Sequence, residues 1–313
     1  MRIPATPEQA NTILVAMLAV AASGGEPTEA DRASIAAAGR YIFKLDLAPD
    51  LAGLTPPGAE ELRKLAADAD LAEEAVSFAT VMAFVDGKLD EAKLRAVLKL
   101  AAVLGVREDF VDDVTQLAQG HLRNATAHMI RANLESVTGR PWNTEDMMPW
   151  FMPYKAKPDG TLAARFRALA SLPSDTFGHA FAAFYERNKY AFPGDEAALN
   201  VGFAVPHDST HVLAGYDTSP RGELLTSVLT AAMHRSHTMS GHVLPVILSW
   251  HLGIPLNEVA GAAKGALDPE EFWRAWARGE RTTVDLFDPG WDFWRAARRP
   301  IEAVRAEINL IDQ

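Results

Sequence analysis

The sequence predicts an all-α protein built as two helical domains, an N-terminal helical bundle and a C-terminal helical metal-site domain. Three observations carry that expectation. Ala-rich apolar positions recur at helical spacing along most of the chain. The β-branched alternation that marks a strand never persists. The length of 313 residues, with 48% hydrophobic residues, suits two helical domains with ample cores.

In chain order, the stretches 7–22, 28–43, 59–84, 89–104 and 108–136 favour helix. Thr6 is the expected N-cap of the first, with Pro7 as first helical residue and Gln9 as capping-box partner. The apolar run Ile13 to Ala22 is not read as a signal peptide. Only Arg2 is basic ahead of it, Glu8 is misplaced for such a leader, and the run is too short to span a bilayer. No other segment approaches a transmembrane span, so a cytoplasmic protein is expected, with contact at the periphery of the inner membrane left open. Val201 to Val205 is the most strand-like piece, short and running into Pro206.

Composition narrows the function. A formal net charge of -11 argues against nucleic acid as a partner and against strong attraction to an anionic membrane. The absence of cysteine excludes disulfides, thiolate ligands and cysteine nucleophiles, so a metal site must use imidazole and carboxylate.

The first half contains a faint internal repeat. Ala22-Ser23-Gly24-Gly25-Glu26-Pro27-Thr28-Glu29-Ala30 is echoed by Val85-Asp86-Gly87-Lys88-Leu89-Asp90-Glu91-Ala92. In each, an apolar helix ends at glycine and an acidic residue opens the next. The pattern resembles the tellurite-resistance TerB-like domain over residues 7–135, and residues 1–136 are assigned to it. That resemblance implies acidic, metal-binding turns. Asp86, Asp90 and Glu91 keep the character, whereas Ser23 and Gly24 replace it in the first turn. Acids in a helix's first turn are expected in any case, so capping is the first reading.

Thr138-Gly139-Arg140-Pro141 breaks the helical pattern, and residues 137–160 read as an irregular linker or covering segment. Its Met147, Met148, Trp150, Phe151 and Met152 suit packing between domains or the cover of a lipid pocket.

Residues 161–313 hold the chemistry. His207, Asp208 and His211 fall on one arc of an expected helix, and Glu223 follows after the turn Asp217-Thr218-Ser219-Pro220, where a helix hairpin would return it to the same face. Two imidazoles and two carboxylates suit zinc, iron or manganese. The alternative is capping or core histidines.

The run His-Asp-x-x-His, eleven residues, then Glu resembles the signature of the coenzyme Q (ubiquinone) biosynthesis Coq-four family. The likeness continues in Leu213, Gly215, Thr218 and Gly222. It extends upstream to Leu172-Pro173 and Thr176-Phe177-Gly178, with Asn188 and Pro193, and downstream to Val304-Arg305. Ser209 and Thr210 stand where that family usually has bulky apolar residues. The resemblance implies a helical protein whose metal ligands and catalytic residues are His207, Asp208, His211 and Glu223, with zinc or iron as cofactor. It also implies oxidative decarboxylation of a polyprenylated hydroxybenzoate, a lyase-type role, alongside other ubiquinone biosynthesis proteins. The alternative is a non-catalytic lipid-binding scaffold for those enzymes; a homo-oligomer stays open. A His-Asp phosphohydrolase ranks third, with His179 as the one upstream partner.

Other features read plainly. The apolar face from Leu224 to Leu252 suits a prenyl tail or a core. His234, His237 and His242 form a second cluster, with His234 and His237 expected on one helix face and no carboxylate at ligand spacing. Solvent-exposed or hydrogen-bonded histidines are the first reading, and partners behind the metal ligands or a separate site the second. Phe272, Trp273, Trp276, Trp291, Phe293 and Trp294 read as core; Arg295, Arg298, Arg299 and Arg305 read as a solvated face.

Overall fold

The computed structural model describes residues 4–48, 50–256 and 261–311; Arg2 lies outside them. Every regular element among the described residues is helical, and the extended pairing is limited to two isolated bridges, Thr176 with Pro300 and Leu252 with Lys264. The all-α expectation holds. No helix of the described residues is long and apolar enough to cross a membrane.

Helix α1 (Pro7–Ser23) opens on the expected capping box. Thr6 accepts from the Gln9 N–H, and the Gln9 side chain returns to the Thr6 N–H at 2.8 Å. Helix α2 (Glu29–Ala38) uses Thr28 and Asp31 in the same way and widens into a π-helical turn, Gly39–Phe43. The expected 59–84 helix is two, α3 (Ala59–Ala66) and α4 (Ala69–Met82). Asp68 divides them, its carboxylate accepting from the Leu71 N–H at 3.1 Å, because a short acidic side chain serves the backbone better as a cap than mid-helix. After α5 (Glu91–Leu104), the expected 108–136 helix also divides, at Gly120, into α6 (Asp109–Ala118) and α7 (Leu122–Thr138).

The acidic second turn of the repeat contains its own cation. Lys93 Nζ lies 2.9 Å from both Asp31 Oδ1 and Asp86 Oδ2, with the lysine and Asp31 buried, while Asp90 caps α5 through the Ala92 and Lys93 N–H groups. Burial works against the ammonium, but its two carboxylate partners outweigh that and hold its pKa above the usual lysine range. An ammonium therefore occupies the space between these acids.

The segment expected to be irregular contains α8 (Thr144–Phe151), which Asn143 caps by accepting from the Asp146 N–H at 3.2 Å. Helices α9 (Gly160–Arg167), α10 (Phe177–Asn188), α11 (Val201–Ala214) and α12 (Pro220–Met233) follow. Val201 to Val205 is no strand: Asn200 accepts from the Gly202 N–H at 2.8 Å and starts α11 there. Two π-helical turns, Thr238–Val243 and Ile247–His251, flank the short α13 (Leu244–Val246). Helices α14 (Pro269–Arg281), α15 (Phe293–Ala297) and α16 (Ile301–Glu307) complete the chain.

The apolar cores do not divide at residues 137–160. The larger one joins α1, α4 and α5 to Leu224, Val228, Trp273 and Trp276, and Phe78 of α4 meets Trp273 and Trp276 edge-on at 4.7 and 5.4 Å. The smaller one gathers Phe166, Phe177, Phe181 and Phe293 around Leu213 and Leu229. Helix α12 is buried nearly all round and feeds both, with Leu224 and Val228 in one and Leu229 and Met233 in the other. Much of the apolar face from Leu224 to Leu252 is thus spent as core. Polar contacts cross the same junction, among them Arg235 Nη2, which donates to the buried Glu74 Oε2 at 3.0 Å. Burial, with the Glu280 carboxylate adding to it, pushes the Glu74 carboxyl up to about 7.

Candidate metal centre

Helices α11 and α12 form the expected hairpin. Gly215 ends α11 in the left-handed region at φ 77°, and Ser219 caps α12 by accepting from the Gly222 N–H at 3.2 Å. Position 222 tolerates only glycine: a Cβ there would lie 2.0 Å from the Asp217 carbonyl oxygen. The close turn swings Glu223 back over α11. The end of α11 is fixed by two arginines. Arg305 donates to the Leu213 and Val212 carbonyls at 2.8 and 3.1 Å, and Arg278 donates to the Ala214 carbonyl at 3.2 Å. Cations at a helix C-terminus satisfy its orphan carbonyls and its dipole. Arg305, expected on a solvated face, is one of them.

His207, His211 and Glu223 converge, with one ligand atom from each lying within 4.8 Å of the others. Their hydrogen bonds decide which atoms face inward. His211 Nδ1 points at the Tyr216 carbonyl at 3.3 Å, and a carbonyl only accepts, so Nδ1 carries the proton. Nε2 then holds the lone pair; it is buried, has no hydrogen-bond partner among the described residues, and lies 3.5 Å from Glu223 Oε2. His207 Nδ1 donates to Asp208 Oδ1 at 3.0 Å, which turns its Nε2 toward Glu223 Oε2 at 3.7 Å. Three acceptors therefore face one another with no donor between them. Ligand atoms about 2.1 Å from a tetrahedral metal ion stand roughly 3.4 Å apart, so the two nitrogen–oxygen separations fit a metal ion.

The charges agree. Burial works to raise the Glu223 carboxyl, yet the neighbouring His211 and His207 rings hold it below the usual range. Burial likewise works to lower His207, but Asp208 and Glu223 outweigh it and raise it.

Asp208, expected as a fourth ligand, is not among the converging atoms. Its Oδ1 receives the His207 proton, and its Oδ2 receives the Tyr185 hydroxyl at 2.5 Å. It orients a ligand from behind, which a carboxylate next to a metal-bound imidazole commonly does. Burial first, then Asp208, holds the Tyr185 hydroxyl well above its ordinary pKa, so it stays a donor. Tyr185 escaped the sequence reading, as did Thr226, 3.1 Å from His211 Nδ1, and Phe184 and Phe203, whose rings stack on His211 and His207 at 5.5 and 5.2 Å. Nothing in their local spacing marks them. Asn188 ties α10 to the hairpin turn, its Oδ1 accepting from Thr218 at 3.1 Å.

Two cavities share His207 and Glu223 as walls. An outer cleft of about 370 Å³ is bordered by Tyr185, Tyr190, Pro193 and Trp250. An inner cavity of about 240 Å³ is mostly apolar, lined by Met129, Met147, Phe151, Phe203 and Val246, with His242 at its edge. Met147, Met148 and Phe151 of the covering segment thus line this cavity, while Trp150 packs on Trp142 at 5.3 Å.

The remaining histidines lie elsewhere. His179 faces the Ala170 carbonyl at 3.1 Å, outside the converging group. His234 and His237 do not share a helix face, because α12 stops at Met233. Carboxylates do accompany them: His234 Nδ1 is 2.6 Å from Asp285 Oδ2, and His237 pairs with Asp109. Sequence spacing could not show acids that α6 and the α14–α15 connection bring in.

No family model matches the chain, and no curated protein matches it.

Proposed function

We propose that this protein is a metal-dependent component of ubiquinone biosynthesis acting in the oxidative decarboxylation of a polyprenylated hydroxybenzoate ring. The observation that carries the reading is the convergence of the His207, His211 and Glu223 lone pairs beside an apolar cavity. The chemistry is what the His-Asp-x-x-His and Glu spacing implies by resemblance. In that reaction the carbon–carboxyl bond breaks and releases carbon dioxide. A carbon–oxygen bond forms with oxygen from water, and dioxygen takes up the two electrons and two protons as hydrogen peroxide. A zinc or iron ion, when bound, supplies Lewis-acid stabilisation of a carboxylate or phenolate.

The chain's own residues have definable tasks. Asp208 holds the His207 proton on Nδ1 so that Nε2 stays a ligand, Tyr185 holds Asp208, and the Tyr216 carbonyl does the same for His211. Three protein donors favour an enzyme over the scaffold reading, because a closed set of four would leave no position for substrate or water. Partnership with other ubiquinone biosynthesis proteins belongs to the same proposal.

Metal analysis of purified protein beside His211→Ala is the test. About one zinc or iron per chain, lost in the variant, is the expected result. A wild type without bound metal, with both proteins equally stable, refutes the metalloenzyme reading.

A further inference from the structure

We propose that His242 is the hydrogen-bond acceptor for a hydroxyl-bearing apolar ligand, of the simple phenol type, seated in the inner cavity. The inference deepens the proposed function and rests on it for the cavity being the ligand site.

The argument begins at Ser136. Its hydroxyl has one proton, and its oxygen lies 2.8 Å from the Ser236 carbonyl and 2.7 Å from His242 Nε2. A carbonyl cannot donate, so the serine proton goes to Ser236 and Ser136 Oγ accepts from His242 Nε2–H. The His242 tautomer is thereby set. Its Nδ1 keeps a lone pair and has no hydrogen-bond partner among the described residues. The residue is 4% exposed and lines the inner cavity.

The ring stays in this form. Burial first, and then the charge of His234, push its pKa down to about 3. Burial works to lower the His234 pKa, but Asp285 Oδ2 at 2.6 Å and the Ser136 carbonyl at 3.0 Å face its two nitrogens and raise it. Its ring centre stands 6.0 Å from that of His242. Nδ1 is therefore an acceptor in a wall that holds His207, Glu223, Asn133 and Ser227 and is otherwise apolar, with Met129, Met147, Phe151 and Val246. Such a wall selects an apolar body, and such an atom selects a donor. A hydroxyl meets both demands; the corresponding ether meets only the first.

The test compares 4-butylphenol with 4-butylanisole, equal in shape apart from the methyl that replaces the donor proton. Calorimetric titration of the full chain is expected to show the phenol binding about tenfold tighter or more to the wild type. His242→Leu should bring the two affinities together. If that variant fails to fold, the imidazole ¹⁵N spectrum of the wild type gives the same information: the phenol shifts His242 Nδ1 and the anisole does not. Equal wild-type affinities, no binding of either probe at saturation, or discrimination that survives in His242→Leu each overturn the proposal. Metal content measured on the same samples separates the two readings. Discrimination without metal leaves His242 its role and refutes the metalloenzyme; metal without discrimination does the reverse.

Discussion

Replacing Glu74 with glutamine should stabilise the protein, and only at high pH. The side chain is 1% exposed, sits between Arg235 and Glu280, and its Oε1 has no hydrogen-bond donor. Its folded pKa is raised to about 7 against 4.5 for the free side chain. The sign follows from which state holds the proton. Below the unfolded value both states are protonated, and the favourable contribution of the neutral carboxyl is fully present. As pH rises from 4.5, the unfolded chain releases the proton while the folded chain retains it, and stability falls until the folded group ionises near 7. At about 1.4 kcal/mol per unit, the loss accumulates to on the order of 3 kcal/mol. Glutamine copies the neutral form and removes the dependence. Urea unfolding followed by tryptophan fluorescence, at pH 5 and pH 8, measures it. Glu74→Gln should be near wild type at pH 5 and more stable by a few kcal/mol at pH 8. An identical shift at both pH values would refute the reasoning, because it would mean that Glu74 is already ionised in the folded protein at pH 5.

Three further outcomes follow from single residues. Tyr185→Phe removes the donor that holds Asp208, so the protein should fold normally but bind zinc about 10- to 100-fold more weakly in a competition titration. Lys93→Met leaves Asp31 and Asp86 buried together without a counter-charge and should cost about 3–5 kcal/mol in denaturant unfolding; a loss below 1 kcal/mol would show the pair to be solvated. Gly222→Ala places a Cβ 2.0 Å from the Asp217 carbonyl, so the turn must shift and carry Glu223 with it. Metal content should drop in that variant, and retention of full metal content would mean that the turn yields without moving the ligand.

The sequence by itself determined the helical class, several helix starts and the ligand-bearing hairpin. These are local matters: Thr6 with Gln9, Thr28 with Asp31, and Ser219 with Pro220 settle their helices within one turn, and the spacing of His207 and His211 puts them on one face wherever α11 packs. Locality also explains the misses at Asp68 and Gly120, where periodic apolar patterns run straight through a cap or a break, and at Asn200, whose cap turns a strand-like run into a helix start. Only the tertiary structure decided which donors meet. Asp208 has the right residue type and spacing for a ligand, but Tyr185, from another helix, claims its carboxylate. His234 takes its carboxylate partner from Asp285 and His242 its tautomer from Ser136, more than 40 residues away in each case. The cores obey the same rule. Trp273 and Trp276 were identifiable as core residues, but which core they join depends on Phe78 of α4, and that choice unites the two halves of the chain. Apolar periodicity tells a helix which face to bury; it carries no address for the partner, because the hydrophobic effect has no direction.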